Sequence, residues 1–228
     1  MPQRHVNDIN LYYEIHGRGQ PLVLILGLAS EVTDTEWLVT ALAEHYRVLV
    51  LDNRGAGRSD KPDKPYSIEL MADDTAQLMQ AAGFDRARVI GISMGSRIAL
   101  ELALKHPSMV SQLVLVSACA RVVRNWHHYL LFDVVNRLPF FRGKQPRYAF
   151  NRQRAASAGY DCTDRLPEIK LPVTIMNGRR DHLAAYPLAL ELQHGIKHSV
   201  LLSFRGGHMF FMWRERQPFL EQLQACLR

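Results

Sequence analysis

The chain has 228 residues, 47% of them hydrophobic, and carries 28 Lys and Arg against 22 Asp and Glu, a formal net charge of +6. That is enough apolar material for one large core, which excludes a disordered or low-complexity chain, and no stretch approaches the ~18 uninterrupted apolar residues of a membrane span. Cys119, Cys162 and Cys226 show neither C-x-x-C nor zinc spacing, so no metal and no disulfide framework is expected and a reducing compartment fits.

Met1 to Asp8 contains no apolar targeting segment, and the expected location is the cytoplasm. Asn10 to Glu14 then reads as an initial strand, followed by a firmer one from Pro21 to Leu26 that ends in Gly27-Leu28-Ala29. Glu36 to Glu44 is helical, with Trp37, Leu38, Leu42 and Ala43 expected to face a sheet, and Tyr46 to Leu51 is the next strand. Gly55 and Gly57 after it suggest a phosphate loop, but neither a following Gly-Lys-Ser/Thr nor a G-x-G-x-x-G is present. Arg54, Arg58 and Asp60 are instead expected to tie down this loop. Ser67 is placed to cap a helix carrying Ile68, Met71, Leu78 and Ala82, whose Asp73-Asp74 pair should form a solvated face and not a metal site.

The pentapeptide Gly91-Ile92-Ser93-Met94-Gly95 sits where an apolar strand, Val89 to Ile92, gives way to a helix from Met94 to Lys105. Glycines two before and two after the serine permit the tight bend that presents a nucleophile. A strand from Gln112 to Ser117 follows, and then the strand–helix alternation breaks between Ala120 and Asp161. Residues 121–161 are read as a reduced lid inserted in a single domain spanning 1–228, or as an excursion that only closes the core. Trp126, Tyr129, Leu130, Phe132, Val134 and Val135 give it an apolar surface, and Pro139, Gly143 and Pro146 are expected to interrupt helix formation. From Arg121 to Arg154 it holds seven arginines and one lysine against Asp133 alone, a balance of +7. Such a rim can attract a carboxylate, a coenzyme-A ester or an acidic acyl-carrier protein, or it can be a solvated face. Trp126, Tyr129, Arg147 and Arg152 are the candidate substrate-binding residues. No base-reading module accompanies the charge, so no nucleic acid is expected, and the adjacent His127 and His128 lack the spacing of a metal site.

Two further strands complete the pattern. Leu171 to Met176 leads through a short turn to Asp181, and Val200 to Phe204 leads to His208. The carboxyl ends of parallel strands lie along one edge, so Ser93, Asp181 and His208 can meet although 88 and 27 residues separate them. A neutral histidine can take the serine proton as the oxygen attacks a carbonyl, and a buried carboxylate holds the ring tautomer and stabilises the imidazolium. The competing reading makes Asp181 a cap for a helix near Ala184 and His208 a chance placement. The backbone N–H groups of Leu28 and Met94 are the candidate donors for a developing oxyanion, where losing one donor costs about 3 kcal/mol.

The Gly27-Leu28 loop, the run Asp52-Asn53-Arg54-Gly55-Ala56-Gly57-Arg58-Ser59, the elbow at Ser93 and the Asp181 and His208 positions together resemble the alpha/beta-hydrolase superfamily. With Asp164-Arg165-Leu166-Pro167-Glu168-Ile169 before the Asp181 strand, the chain is most similar to the small bacterial esterases and lactonases that include 3-oxoadipate enol-lactonase. Leu26-Gly27 stands where that family often has His-Gly. The resemblance implies an α/β fold, a mostly parallel sheet flanked by helices with a short helical lid. It implies a serine-dependent hydrolase of carboxylic esters or lactones, working through an acyl-enzyme without a cofactor on a small-molecule substrate. A thioesterase or carrier-linked esterase, a cofactor-free perhydrolase, a carbon-carbon hydrolase or a non-catalytic ligand receptor could use the same fold.

Overall fold

The computed structural model describes residues 3–134 and 145–228; Val135, Pro139 and Gly143 of the expected lid lie outside them. Among the described residues, eight strands form one sheet. Its order is β1 (Gln3–Val6), β2 (Ile9–His16), β4 (Tyr46–Leu51), β3 (Gln20–Ile25), β5 (Ala87–Ile92), β6 (Val110–Val116), β7 (Val173–Gly178) and β8 (Ser199–Phe204). The β1–β2 and β2–β4 pairs are antiparallel and every other pair is parallel. Strand β1 was not expected from the sequence, because only Val6 of its four residues is buried and an exposed edge strand carries no apolar signature.

The parallel strands are apolar on both faces because helices cover both. Alternate residues divide between two cores. Val23, Ile25, Leu49, Leu51, Val89 and Leu115 pack with α2 (Ile68–Ala81), α3 (Met94–Lys105) and α6 (Tyr186–Gly195). Leu22, Leu24, Val48, Val50, Ile90 and Val116 pack with α1 (Glu36–Ala43) and α7 (Arg216–Leu227). Leu38, Val39 and Leu42 form the buried face of α1, while Trp37 lies half-buried, edge-on to Phe219 of α7. The cap of α2 is present as a bond from Leu70 N–H to Ser67 Oγ. No helix of the described residues is long and apolar enough to cross a membrane.

The solvated face expected at Asp73-Asp74 needs correction. Asp73 does face outward, accepting from Lys105 at 2.7 Å and approaching His106 at 3.0 Å. Asp74 is buried and takes two hydrogen bonds from Arg54, at 2.7 and 2.9 Å, while Asp8 accepts a third at 2.7 Å. Neighbouring helix residues point about 100° apart, and a buried guanidinium requires counter-charges. The 52–60 loop is indeed tied down: Asp52 accepts from Val32 and Arg58 N–H, and Asp60 from Asn10 N–H.

Between β6 and β7 the chain leaves the sheet, and an antiparallel bridge pairs Arg121 with Asp161 across the two ends of the excursion. The one-turn α4 (Trp126–His128) runs into a wider turn over Tyr129–Val134. The thirteen-residue α5 (Arg147–Gly159) starts directly after Pro146. Pro146 therefore opens a helix and does not interrupt one, since a proline ahead of the first turn removes no intrahelical hydrogen bond.

Candidate active site

Strand β5 ends at Ile92, helix α3 begins at Met94, and Ser93 between them has φ 55° and ψ −116°. A non-glycine residue in this region is strained by about 1–3 kcal/mol, and the surroundings must hold it there. They do so by close packing. A Cβ on Gly91 would lie 2.5 Å from the Gly95 carbonyl oxygen and 2.7 Å from Ser96 Cα, and one on Gly95 would run into the backbone oxygens of Ile25 and Leu26. Ser93 N–H donates to Val116 O at 2.9 Å and Ser96 Oγ donates to Ser93 O at 2.6 Å, fixing the turn from two sides.

Ser93 Oγ lies 2.9 Å from His208 Nε2, and His208 Nδ1 lies 2.8 Å from Asp181 Oδ2. Asp181 is 3% exposed, and its other oxygen accepts from Leu183 N–H at 2.8 Å and Ala184 N–H at 2.9 Å. Asp181 therefore does not cap a helix, since α6 begins at Tyr186 with Ala185 before it; one of its oxygens holds the 182–185 turn and the other faces the imidazole. The His208 loop is fixed by Ser117 Oγ, which donates to His208 O at 2.6 Å, and by Glu215, which accepts from Arg205 and Gly206 N–H.

The loop after β3 abuts the serine: a Cβ on Gly27 would stand 3.4 Å from Ser93 Cβ. Leu28 borders the same cavity as Ser93 and His208. Met94 is the first residue of α3, so its N–H has no place in the intrahelical ladder. Ala29, at φ 57°, donates its N–H to Gln153 Oε1 at 2.9 Å, and Gln153 Nε2 donates to Arg54 O at 2.7 Å. Fully buried Gln153 on α5 thus ties the Gly27–Ala29 loop to the 52–60 loop.

The cavity over Ser93 has a volume of about 490 Å³, within the usual range of small-molecule sites. Of the candidate binding residues, Arg147 borders it. Trp126 and Tyr129 do not: they are 65% and 52% exposed and pack on one another with ring centroids 5.7 Å apart. Arg152 points away, donating to Asp63 at 3.1 and 3.2 Å. A helix of this length displays successive arginines on different sides, which composition alone cannot resolve. His128 is buried against the cavity with Nδ1 2.9 Å from Asn125 Oδ1. Burial, and then the charge of Arg97, keep its pKa below the ordinary histidine value. His127 instead stacks on His182 at 4.1 Å, and no group of three or more His, Cys, Asp or Glu among the described residues is placed to hold a metal. The three thiols are free, and burial pushes those of Cys162 and Cys226 up to about 11.

A family model for the alpha/beta hydrolase fold matches residues 16–156. The chain belongs to the alpha/beta-hydrolase family. The match takes in β3, the Ser93 elbow and most of α5 and ends before Asp181 and His208. Among sequence relatives, a protein named "Putative carbamate hydrolase RutD" from Azorhizobium caulinodans is 40% identical over 121 residues, 53% of this chain. That alignment spans about half of the relative, 46% of its length. Among solved structures, the enol-lactonase from Burkholderia xenovorans LB400 superposes with a TM-score of 0.86 at 25% identity, covering 99% of both chains. The esterase EaEST from Exiguobacterium antarcticum gives a TM-score of 0.86 at 27% identity, covering 96% of this chain and 95% of that one.

Four residues of this alpha/beta hydrolase's site escaped the sequence reading: Arg97, Ser117, Gln153 and Ser157. Arg97 alone had a legible signal, since it stands in the first turn of the helix that follows Ser93. Gln153 and Ser157 come from the excursion and meet their partners, Ala29 and Arg54 for the one and Arg97 for the other, only through packing.

Proposed function

We propose that this alpha/beta hydrolase cleaves carboxylic esters or lactones through Ser93, His208 and Asp181. The observation that carries the reading is the continuous relay of 2.9 Å and 2.8 Å contacts from a strained serine to a buried carboxylate. His208 takes the Ser93 proton as Oγ bonds to the substrate carbonyl carbon, and Asp181 stabilises the imidazolium. The N–H groups of Leu28 and Met94 receive the negative oxygen of the tetrahedral intermediate. Collapse expels the alcohol oxygen with the proton from His208; water, deprotonated by His208, then attacks the acyl-Ser93 ester and releases the acid. No cofactor enters these steps. The described parts of the excursion, 121–134 and 145–161, serve as a short cover over the cavity in a single domain, with a small-molecule ester or lactone as substrate and an acidic acyl carrier as the larger candidate.

The test is hydrolysis of p-nitrophenyl butyrate by the wild type and S93A, with mass-spectrometric mapping of a fluorophosphonate adduct. Turnover lost in S93A together with labelling of Ser93 supports the mechanism; undiminished turnover in S93A overturns it. Ligand-induced stabilisation without product would assign the chain to a receptor. A carbamate substrate is the second reading, favoured by the name of the relative at 40% identity. The same relay can attack a carbamoyl carbon, and release of ammonia from a simple carbamate, measured beside ester cleavage, separates the two.

A further inference from the structure

Arg54 and Arg97 are both buried arginines, at 1% and 6% exposure, yet they are housed differently. Arg54 is matched by the carboxylates of Asp74 and Asp8. Arg97 donates from Nη1 to Cys119 Sγ at 2.9 Å and from Nη2 to Ser157 Oγ at 2.5 Å, while its Nε is buried without an acceptor. Both of those acceptors are neutral, and among the described residues no carboxylate pairs with Arg97. A guanidinium stays charged at any ordinary pH, so burial without a counter-ion leaves a standing electrostatic deficit.

The deficit faces the cavity. Arg97 lines it from the first turn of α3, the helix that Ser93 immediately precedes. Arg124, Arg147 and Arg154 also border it, whereas no aspartate or glutamate among the described residues does. The carboxylate nearest the chemistry, Asp181, is 3% exposed and turned to His208.

From this we infer that Arg97 is a specificity-determining residue, which receives a carboxylate carried by the substrate beside the bond that Ser93 attacks. The inference rests on Ser93 being the nucleophile of this cavity and adds the charge of the substrate to that reading. A planar fork of donors matches a carboxylate, and a carboxylate supplies the charge that Cys119 and Ser157 lack. The proximity of Arg97 to Ser93 favours short acids in which a few carbons separate the carboxylate from the ester carbonyl. The exposed Arg147 adds long-range attraction, which salt screens, while a contact with the buried Arg97 is screened much less.

The experiment compares kcat/KM for monomethyl glutarate and monomethyl adipate with methyl pentanoate and methyl hexanoate, followed by pH-stat, in wild type, R97M and R97K. A charged hydrogen-bonded contact predicts a preference for the hemiesters of about tenfold or more in the wild type, collapsing in R97M and partly kept in R97K. The preference should persist in 0.5 M salt, about where exposed charges are largely screened. Separately, glutarate should raise the Tm of S93A and fail to raise that of S93A/R97M. This arm needs no turnover, so it stands if the hydrolytic reading fails. Equal kcat/KM for charged and neutral esters, or a preference that survives R97M, overturns the role of Arg97 and leaves Ser93 untouched. A preference abolished by salt but not by R97M assigns it to exposed charges such as Arg147 and overturns the inference equally.

Discussion

Replacing Asp181 by asparagine separates the two roles that its oxygens play. Oδ1 is held by the N–H groups of Leu183 and Ala184, and Oδ2 faces His208 Nδ1. An asparagine must keep its carbonyl oxygen toward the two backbone donors, because its NH2 group cannot accept from them. The NH2 group then points at Nδ1 and forces that nitrogen to be the acceptor. The imidazole proton moves to Nε2, where it faces Ser93 Oγ and can no longer take the serine proton. The corresponding wrong-tautomer substitution in a serine protease lowers kcat about 10⁴-fold, and the same order is expected here, about 5 kcal/mol of transition-state stabilisation. Fold stability should barely change, since the turn keeps its acceptor. D181A behaves differently: it also loses the acceptor for two backbone donors, at about 1 kcal/mol or some 2–4 °C in Tm for a chain of this size. The measurements are kcat/KM for p-nitrophenyl butyrate and thermal melts of the two variants side by side. A D181N enzyme within about tenfold of wild-type kcat would refute the assignment of Asp181 as the residue that sets the tautomer.

Other expectations concern the scaffold of the site. G95A should lower stability by about 3 kcal/mol, since its methyl group would run into the backbone of Ile25 and Leu26; urea unfolding measures it. Q153A removes the acceptor that fixes Ala29 N–H beside Leu28, and kcat should fall about tenfold, a loss of about 1.4 kcal/mol, with a smaller change in KM. D74A leaves buried Arg54 with only the partly exposed Asp8, and chemical denaturation should show a loss of about 3–5 kcal/mol. Hydrogen bonds from Arg54 and then Lys64 hold the Asp8 carboxyl well below the ordinary carboxylate value. Its contribution is present above the unfolded value near pH 4 and is lost as pH falls toward the folded one, so D8N should flatten the acid limb of Tm against pH below about pH 4.

Periodicity and spacing alone disclosed the parts of this protein whose signal is local. Tyr46 to Leu51 is strand β4 to the residue and Met94 to Lys105 is helix α3, because a strand covered on both faces is a short continuous apolar run and a proline-free stretch after a glycine–serine turn, with Ile98 and Leu102 four apart, carries a helical repeat. The glycine–serine elbow was equally legible, since a tight turn restricts the residues that make it. Strand β1 was silent because its exposed edge needs no apolar pattern, and Pro146 misled because a proline can open a helix as well as stop one. Tertiary structure decided the contacts between distant segments. It turned Asp74 inward to Arg54, put Gln153 under the Gly27–Ala29 loop, sent Arg152 outward to Asp63, and left Arg97 beside Ser93 with neutral partners. Each of these pairs joins residues at least 20 positions apart. The sign of a side chain's partner is set by which elements pack together, and no local pattern of residue types records that.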